Sequence, residues 1–282
     1  MKGSKPKPRG LILDLLLAAD PEPLSARDAV AACALFGISQ NNARVALARL
    51  SSDGLIEAAE RGSYQLSARA HELADDVATW RTAEQRVRDW NGGYIAVHTG
   101  LLGRSDRAAL RARRRALDML GFRELERGLH LRPDNIESDL DAVRRRLYQI
   151  GLERKASVFV ANGFDAVREA RVRRLWDGKA LTANYRRLRQ ELEEWMRNAE
   201  RLGPEAGARE AFLVGSRAIR HVVYDPLLPS PLVDVQARQT FVETVRRVDR
   251  LGHRLWQRMY EASTGQPGPF PPRPNDTLQA SA

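Results

Sequence analysis

The sequence predicts a mainly α-helical protein with α+β parts: an N-terminal winged helix-turn-helix domain, a central ferredoxin-like α+β domain and a C-terminal helical domain. Helical spacing and then a hairpin pattern fill the first 75 residues, strand and helix patterns alternate between Tyr94 and Ala161, and helical spacing alone follows Gly163. The predicted division is a winged-helix DNA-binding domain (1–75), a linker helix with the ferredoxin-like domain (76–163), a helical domain (164–263) and a disordered tail (264–282).

The composition indicates a soluble protein with polyanionic partners. The 282 residues are 43% hydrophobic, which is enough for more than one core, and the formal net charge of +10 attracts nucleic acid or a phosphate-bearing ligand. The single cysteine, Cys33, excludes an internal disulfide framework, so we expect a reducing, cytoplasmic location. The longest apolar run, 10–19, is interrupted by Asp14 and is far shorter than the roughly 20 residues of a membrane span, so no membrane partner is expected.

Three short helices are predicted before the hairpin. Leucine and isoleucine recur over 11–16 at the spacing of a buried stripe, and Asp20-Pro21 ends this first helix. Ser25 is expected to cap a second helix over 26–36, which Gly37 closes with a positive φ. Ser39 is expected to cap the third helix.

The third helix carries the most informative pattern because its apolar and polar faces separate. Its apolar residues, which would pack on the first two helices, are Ala43, Ala46, Leu47 and Leu50. Amide side chains can bond adenine bidentately and a guanidinium can do so with guanine, so the opposite face suits the major groove of DNA. The predicted contact residues of this helix are Ser39, Gln40, Asn41, Asn42, Arg44 and Arg49.

A wing and a basic arm are predicted beside this helix. Gly54 ends the helix, and a tight hairpin follows in which Arg61 and Ser63 would reach phosphate or the minor groove. Tyr64 and Leu66 would alternate inward. Further phosphate contacts are expected from an N-terminal arm that contains Lys2, Lys5, Lys7 and Arg9.

Charge alone does not settle the DNA-binding interpretation. Residues 1–75 contain nine basic and nine acidic residues, so this domain has no net charge. Between Ser39 and Ser52, however, Arg44 and Arg49 occur without an acid. Helix-turn-helix geometry also serves protein contacts and polar residues commonly cap helices, so a protein-interaction adaptor stays an alternative.

The central region shows the order strand, helix, strand, strand, helix, strand, which is typical of a ferredoxin-like fold. Ser105 is expected to cap its first helix, which would run to Leu120. This helix is rich in arginines that suit the phosphates of a CoA thioester or a DNA backbone, although in so basic a chain an ordinary solvated face is the commoner explanation. The candidate effector-binding residues are Arg107, Arg111, Arg114 and Arg115, with Arg220 and His221 from a later helix.

After Gly163 the predicted helices are 166–176, 182–201, 204–223 and about 231–260. Asp225-Pro226 ends the third of these, since proline disfavours a helical conformation in the preceding residue. Trp176, Trp195 and Trp256 at helical positions indicate core packing rather than ligand stacking.

No catalytic or metal site is predicted. The five histidines are scattered without ligand spacing, and the strand at 94–98 brings no carboxylate that could hold a divalent ion. We therefore expect no cofactor and no enzymatic activity, with a metal-dependent nuclease on the ferredoxin-like domain kept as the alternative.

Three stretches of the sequence resemble the PaaX-type family of repressors of phenylacetate-degradation operons. They are the segment 43–55 with 64–67, the segment Arg220-His-Val-Val-Tyr-Asp-Pro-Leu-Leu-Pro229, and the pair Gly121-Phe-Arg-Glu-Leu125 and Gly128-Leu-His-Leu-Arg-Pro133. The resemblance implies a dimeric repressor that is released from DNA by an aryl-CoA thioester. The predicted function is accordingly a ligand-responsive repressor that binds a palindromic operator as a homodimer, responds to an aryl-CoA or acyl-CoA thioester, and controls an aromatic or organic acid catabolic operon.

Overall fold

The computed structural model describes residues 6–70, 79–265 and 268, and it is mainly helical with two small antiparallel sheets, as the sequence predicted. The chain forms two units. The first contains the described residues of 1–78, 192–217 and those from 245 onward, and the second contains 79–191 and 218–244. The candidate DNA-contacting residues therefore lie in the first unit and the candidate effector-binding residues in the second.

The N-terminal part of the first unit has three helices and a three-stranded sheet. Its elements are α1 (Pro8–Ala19), β1 (Leu24–Ser25), α2 (Ala26–Leu35), α3 (Gln40–Ser52), β2 (Ile56–Ala58) and β3 (Ser63–Leu66). The strand order is β1-β3-β2, with Leu24 opposite Tyr64 and Ile56 opposite Leu66. Strand β1 has two residues, too few for the alternation from which a strand is predicted.

Local capping chemistry sets the ends of α2 and α3, as predicted. The Ser25 hydroxyl accepts a hydrogen bond from the Asp28 amide at 3.0 Å, and the Ser39 hydroxyl accepts one from the Asn42 amide at 3.3 Å. Gly37 has a φ of 63°, which turns the chain between the two helices at little steric cost. The start of α3 is thus fixed by its own sequence.

The core of the first unit joins the N-terminal elements to residues far along the chain. The stripes predicted for α1 and α3 are buried, and Phe36 packs edge-on against Phe212 with ring centroids 5.2 Å apart. Trp256, Met259 and Tyr260 belong to the same apolar cluster. Helix α3 packs against this shared core through its apolar face.

The second unit contains the predicted succession of strands and helices. After a 3₁₀ helix (Thr79–Arg86) come β4 (Tyr94–His98), α4 (Arg107–Met119), β5 (Arg123–Glu126), β6 (Leu129–Pro133), α5 (Leu140–Ile150) and β7 (Ser157–Ala161). The sheet has the order β5-β6-β4-β7 with antiparallel neighbours. The described part of the expected linker helix is 3₁₀ rather than α-helical.

The remaining helices are α6 (Ala166–Arg173), α7 (Gly178–Ala199), α8 (Pro204–Val223) and α9 (Val235–Thr264). Helix α9 begins at Val235 and not near Pro231, because the Asp234 carboxylate accepts a hydrogen bond from the Ala237 amide at 3.0 Å. Helix α7 begins at Gly178 and not at Thr182, since Asp177 accepts from the Ala180 amide at 2.8 Å.

One predicted cap was wrong. Ser105 does not cap α4; the Asp106 carboxylate does, accepting hydrogen bonds from the amides of Ala108 at 2.7 Å and Ala109 at 3.2 Å. The predicted disordered tail, apart from Thr264, Gly265 and Gly268, lies outside the described residues. Within 6–70, 79–265 and 268, no helix has both the length and the apolar character needed to cross a membrane.

Candidate nucleic-acid interface

Helix α3 has one buried and one exposed face. Ala43 and Leu50 on its inner side are completely buried. All six predicted contact residues of this helix are exposed: Ser39, Gln40, Asn41, Asn42, Arg44 and Arg49. The exposed face begins at the N-terminal end of the helix, where helices that enter the major groove place their base contacts.

Most of the polar side chains on this face have no partner in the described part of the chain. No hydrogen bond or ion pair there engages the side chains of Gln40, Asn41, Arg44 or Arg49. Their amides and guanidinium groups are therefore available to an external ligand without breaking a contact. Ser39 differs, because its hydroxyl already accepts the capping hydrogen bond from Asn42.

The β2–β3 hairpin presents Arg61 at its exposed tip. Ser63 is half-buried, and its hydroxyl accepts a hydrogen bond from the Glu60 amide at 3.1 Å, so it shapes the turn. Leu66 is buried and Tyr64 packs against the apolar cluster of this unit, as the predicted alternation requires. Arg61 is thus the cation that the hairpin offers to a phosphate.

The basic arm is only partly described. Lys7 is exposed immediately before α1, whereas Lys2 and Lys5 lie outside the described residues. Arg9 pairs with Asp53 at 2.7 Å, with both side chains nearly half exposed. This pair neutralises Arg9 at the C-terminal end of α3, so of these two described cations Lys7 is the one left for a phosphate.

The arginines of α4 separate into an exposed group and one buried residue. The exposed group contains Arg107, Arg111, Arg114 and Arg115, and of these Arg115 donates a hydrogen bond to the Ile150 carbonyl at 2.9 Å. Arg113, which was not among the candidates, is buried, where it pairs with Glu153 and donates to the Gly103 carbonyl at 3.0 Å. The Arg220 guanidinium lies 5.6 Å from the centroid of the Tyr224 ring, and His221 beside it is exposed.

The segment 225–229 is a buried packing turn. The Leu227 carbonyl accepts a hydrogen bond from the Asn135 side chain at 2.7 Å, and Asn135 in turn accepts one from Arg132 at 2.8 Å. A Cβ at Gly121 would lie 2.6 Å from the Pro226 Cα, so this contact requires glycine. Two stretches that carry the family resemblance, 121–133 and 220–229, therefore pack on each other.

Two buried arginines hold this region together. Burial lowers the pKa of Arg132 to about 9, and carbonyls of Leu120 and Pro133 accept its hydrogen bonds. Arg238 is completely buried and donates to Glu84 at 2.8 Å and to the Leu228 carbonyl at 2.6 Å. Glu84 and Arg238 are 154 positions apart in the sequence, which explains why no sequence pattern indicated this pair.

The second unit also contains an open groove of about 480 Å³. It lies between residues 178–186 of α7 and the segment 230–234, and Lys179 and Arg186 are its cations. Arg186 is engaged by Asp234 at 2.7 Å. These cations are not among the predicted effector-binding residues, because no sequence pattern distinguishes them from other surface cations.

Over the described ranges, no group of three or more His, Cys, Asp and Glu side chains is placed to hold a metal ion. Strand β4 supplies one titratable side chain of this kind, His98, at its end.

Two family models and a solved structure are similar to this chain. The family model described as PaaX-like protein matches residues 7–70, and the model described as PaaX-like protein C-terminal domain matches residues 176–258. A solved structure, the uncharacterized protein Rv0674 from Mycobacterium tuberculosis, is 23% identical with a TM-score of 0.57, and the match covers 88% of this chain and 98% of that one. The comparison with curated proteins found no match.

The two matched segments include α3 with its hairpin at one end and the buried turn 225–229 at the other. By class, this is a transcriptional regulator. The chain belongs to the PaaX-like family.

Proposed function

We propose that this chain is a ligand-responsive transcriptional repressor that binds a palindromic operator as a homodimer through α3 and the β2–β3 hairpin. The observation that carries the proposal is the exposed polar face of α3, whose amide and guanidinium groups have no partner among the described residues. Donors on the exposed face of a helix, close to its N-terminus, are the groups that read base edges in the major groove.

The arrangement of elements supports a winged helix in the first unit. Three helices, a three-stranded sheet and a hairpin that follows α3 are the parts of such a domain, with Arg61 at the tip of the wing. In the second unit, the succession of strands and helices and the order β5-β6-β4-β7 support a ferredoxin-like fold. The boundaries at 75 and 163 are proposed with these two folds.

Within this proposal the contacts divide by chemistry. Gln40, Asn41 and Arg44 read base edges, because they lie nearest the start of α3. Arg49, Arg61 and Lys7 bind phosphate and make the affinity depend on salt. Ser39 and Ser63 shape the backbone that presents these groups, since each hydroxyl accepts a local hydrogen bond.

The regulatory half of the proposal concerns the second unit. An aryl-CoA or acyl-CoA thioester binds there and favours a state with lower affinity for the operator, which releases the operon for aromatic or organic acid catabolism. The exposed arginines of α4, together with Arg220, supply cations for its phosphates. The proposed location is the cytoplasm, where such thioesters and the operator are both present.

Binding of the full chain to the DNA upstream of its own gene tests the DNA-binding proposal. Wild type is expected to shift this fragment in the presence of excess scrambled competitor, and binding should weaken steeply between about 50 and 200 mM salt. Arg44→Ala should weaken specific binding by about 1–3 kcal/mol, because it removes a base contact. The control Arg197→Ala removes an exposed arginine from α7 and should leave the affinity unchanged.

Two results would contradict the proposal. A wild-type protein that fails to retard the fragment even at the lowest salt concentration is not an operator-binding protein. If Arg44→Ala and Arg197→Ala bind as well as wild type, Arg44 does not read a base and the exposed face of α3 serves another partner.

A further inference from the structure

The outward face of α3 has an apolar centre. On a helix with 3.6 residues per turn, Asn41, Val45 and Ala48 follow one another at i, i+4 and i+7, opposite the buried stripe. Arg44 and Arg49 flank this line on its two sides. Val45 as a whole residue is 41% exposed, and its side chain is the large apolar one on this face.

Helix formation does not explain a valine at this position. Valine is β-branched and loses rotamer freedom in a helix, so it forms helices less well than alanine. It also exposes apolar surface to water here, since 41% of the residue is accessible. An exposed helical position without a ligand would therefore favour alanine or a charged residue.

We propose that Val45 reads thymine by packing its methyl groups against the C5 methyl group in the major groove. This rests on the proposed function, because it requires α3 to enter the groove. The C5 methyl is the apolar feature that the major groove offers, and it distinguishes thymine from cytosine and the purines. Val45 is a specificity-determining residue that acts between the polar contacts of Asn41 and Arg49.

The flanking residues favour a base over a protein partner as the occupant. One arginine on each side of a single valine suits a DNA groove, where phosphates and guanine edges surround the methyl group of a thymine. A protein-binding helix of this size would instead present several apolar anchors at i, i+3, i+4 and i+7. Among the outward residues of α3, Ala48 is the other apolar one, and its side chain is a single methyl group.

The test compares two versions of the same upstream DNA fragment. One contains thymine, and the other is synthesised with uracil in place of thymine, which removes the C5 methyl and keeps the base-pairing edges. Fluorescence anisotropy measures the affinity of the full chain for both. Wild type should prefer thymine DNA by about 4-fold for each Val45–methyl contact, the effect of burying about one methyl group.

Variants assign the preference to this side chain. Val45→Ala should bind both fragments with nearly equal affinity, and Val45→Thr, which keeps one methyl group, should retain part of the preference. Leu101→Ala removes another exposed apolar side chain, 90% accessible and in the second unit, and should keep the full wild-type preference. Helical circular dichroism should be the same for all four proteins, since both positions are exposed.

Each outcome decides the inference. A wild type that binds the thymine and uracil fragments equally well overturns it, as does a Val45→Ala variant that keeps the full preference. In both cases the DNA-binding proposal stands, because the fragments are still bound. Failure of wild type to bind either fragment overturns the DNA-binding proposal itself, and this inference with it.

Discussion

Glu84 and Arg238 illustrate how single buried charges constrain the second unit. Arg238 is completely buried. Its guanidinium donates one hydrogen bond to each carboxylate oxygen of Glu84, at 2.8 and 3.2 Å. Asp225 lies in the same region, where burial raises the pKa of its carboxyl group. Glu84 is therefore the main charge that compensates Arg238.

Glu84→Gln is expected to destabilise the protein strongly, because it leaves the buried Arg238 without its full negative partner. We expect a loss of about 3 kcal/mol in the free energy of unfolding, measured by urea denaturation. Asp141→Asn is the control, since the exposed Asp141 pairs with Arg144 at i+3 on the surface of α5. Such a pair contributes about 0.5 kcal/mol or less, so equal losses in the two variants would contradict the assigned role of Glu84.

Arg113 and Glu153 provide a residue-scale pH dependence. Their ion pair holds the pKa of the Glu153 carboxyl group below its ordinary value of 4.5, chiefly through the hydrogen bond from Arg113. A carboxyl group with a lowered pKa in the folded state stabilises the fold fully above its unfolded pKa. This stabilisation is lost as the pH falls through the folded-state pKa.

Glu153→Gln should therefore lower the free energy of unfolding near neutral pH and have less effect near pH 3. Urea denaturation at the two pH values measures the difference between wild type and variant. Glu126→Gln is a suitable control, because its ion-pair distances to Arg168 and Arg171 are 3.9 and 3.8 Å. A Glu153→Gln effect that is the same at both pH values would show that packing, not the ion pair, is responsible.

At the scale of elements, helix ends show how far local sequence can be interpreted. Ser25 and Ser39 cap α2 and α3 as predicted, because in each case the hydroxyl is followed at the right spacing by the start of an apolar stripe. For α4 two adjacent residues, Ser105 and Asp106, are both good caps. A shift of one residue changes neither the periodicity nor the composition, so the pattern could not choose between them.

The start of α4 gives a direct test of this correction. Asp106→Ala should cost about 1 kcal/mol of stability, because two helix amides lose their acceptor. Ser105→Ala should have almost no effect, and Asp106→Asn should restore most of the loss, since an amide oxygen also caps. Thermal unfolding of the three variants measures this, and a larger loss from Ser105→Ala than from Asp106→Ala would be inconsistent with the observed cap.

At the scale of the whole molecule, the two proposed activities belong to different units. The candidate base contacts lie in the first unit and the candidate effector contacts in the second. Regulation then requires only that the ligand bind one state of the protein better than the other. The sequence predicted both sets of residues but not how they communicate.

A panel of aryl-CoA and acyl-CoA thioesters should identify an effector that lowers operator affinity by roughly 5- to 150-fold, the usual range of coupling between two sites. Free CoA and the unesterified acids are the ligand controls. A variant with Arg107→Ala, Arg111→Ala and Arg114→Ala should need more thioester for the same release, while it binds the operator normally in its absence. Unchanged operator affinity with every thioester would contradict this half of the proposal.

The sequence by itself determined the mainly helical fold, the β2–β3 hairpin, the succession of strands and helices from β4 to β7, and the two faces of α3 with Arg44 and Asn41 outward. These features follow from contacts between residues close in the chain, where helical spacing and capping chemistry act. Only the tertiary structure decided that Arg238 is neutralised by Glu84, that Asn135 holds the Leu227 carbonyl, and that Arg113 is buried beside Glu153. Each of these contacts joins distant parts of the chain, and side-chain burial there depends on packing that no local pattern records.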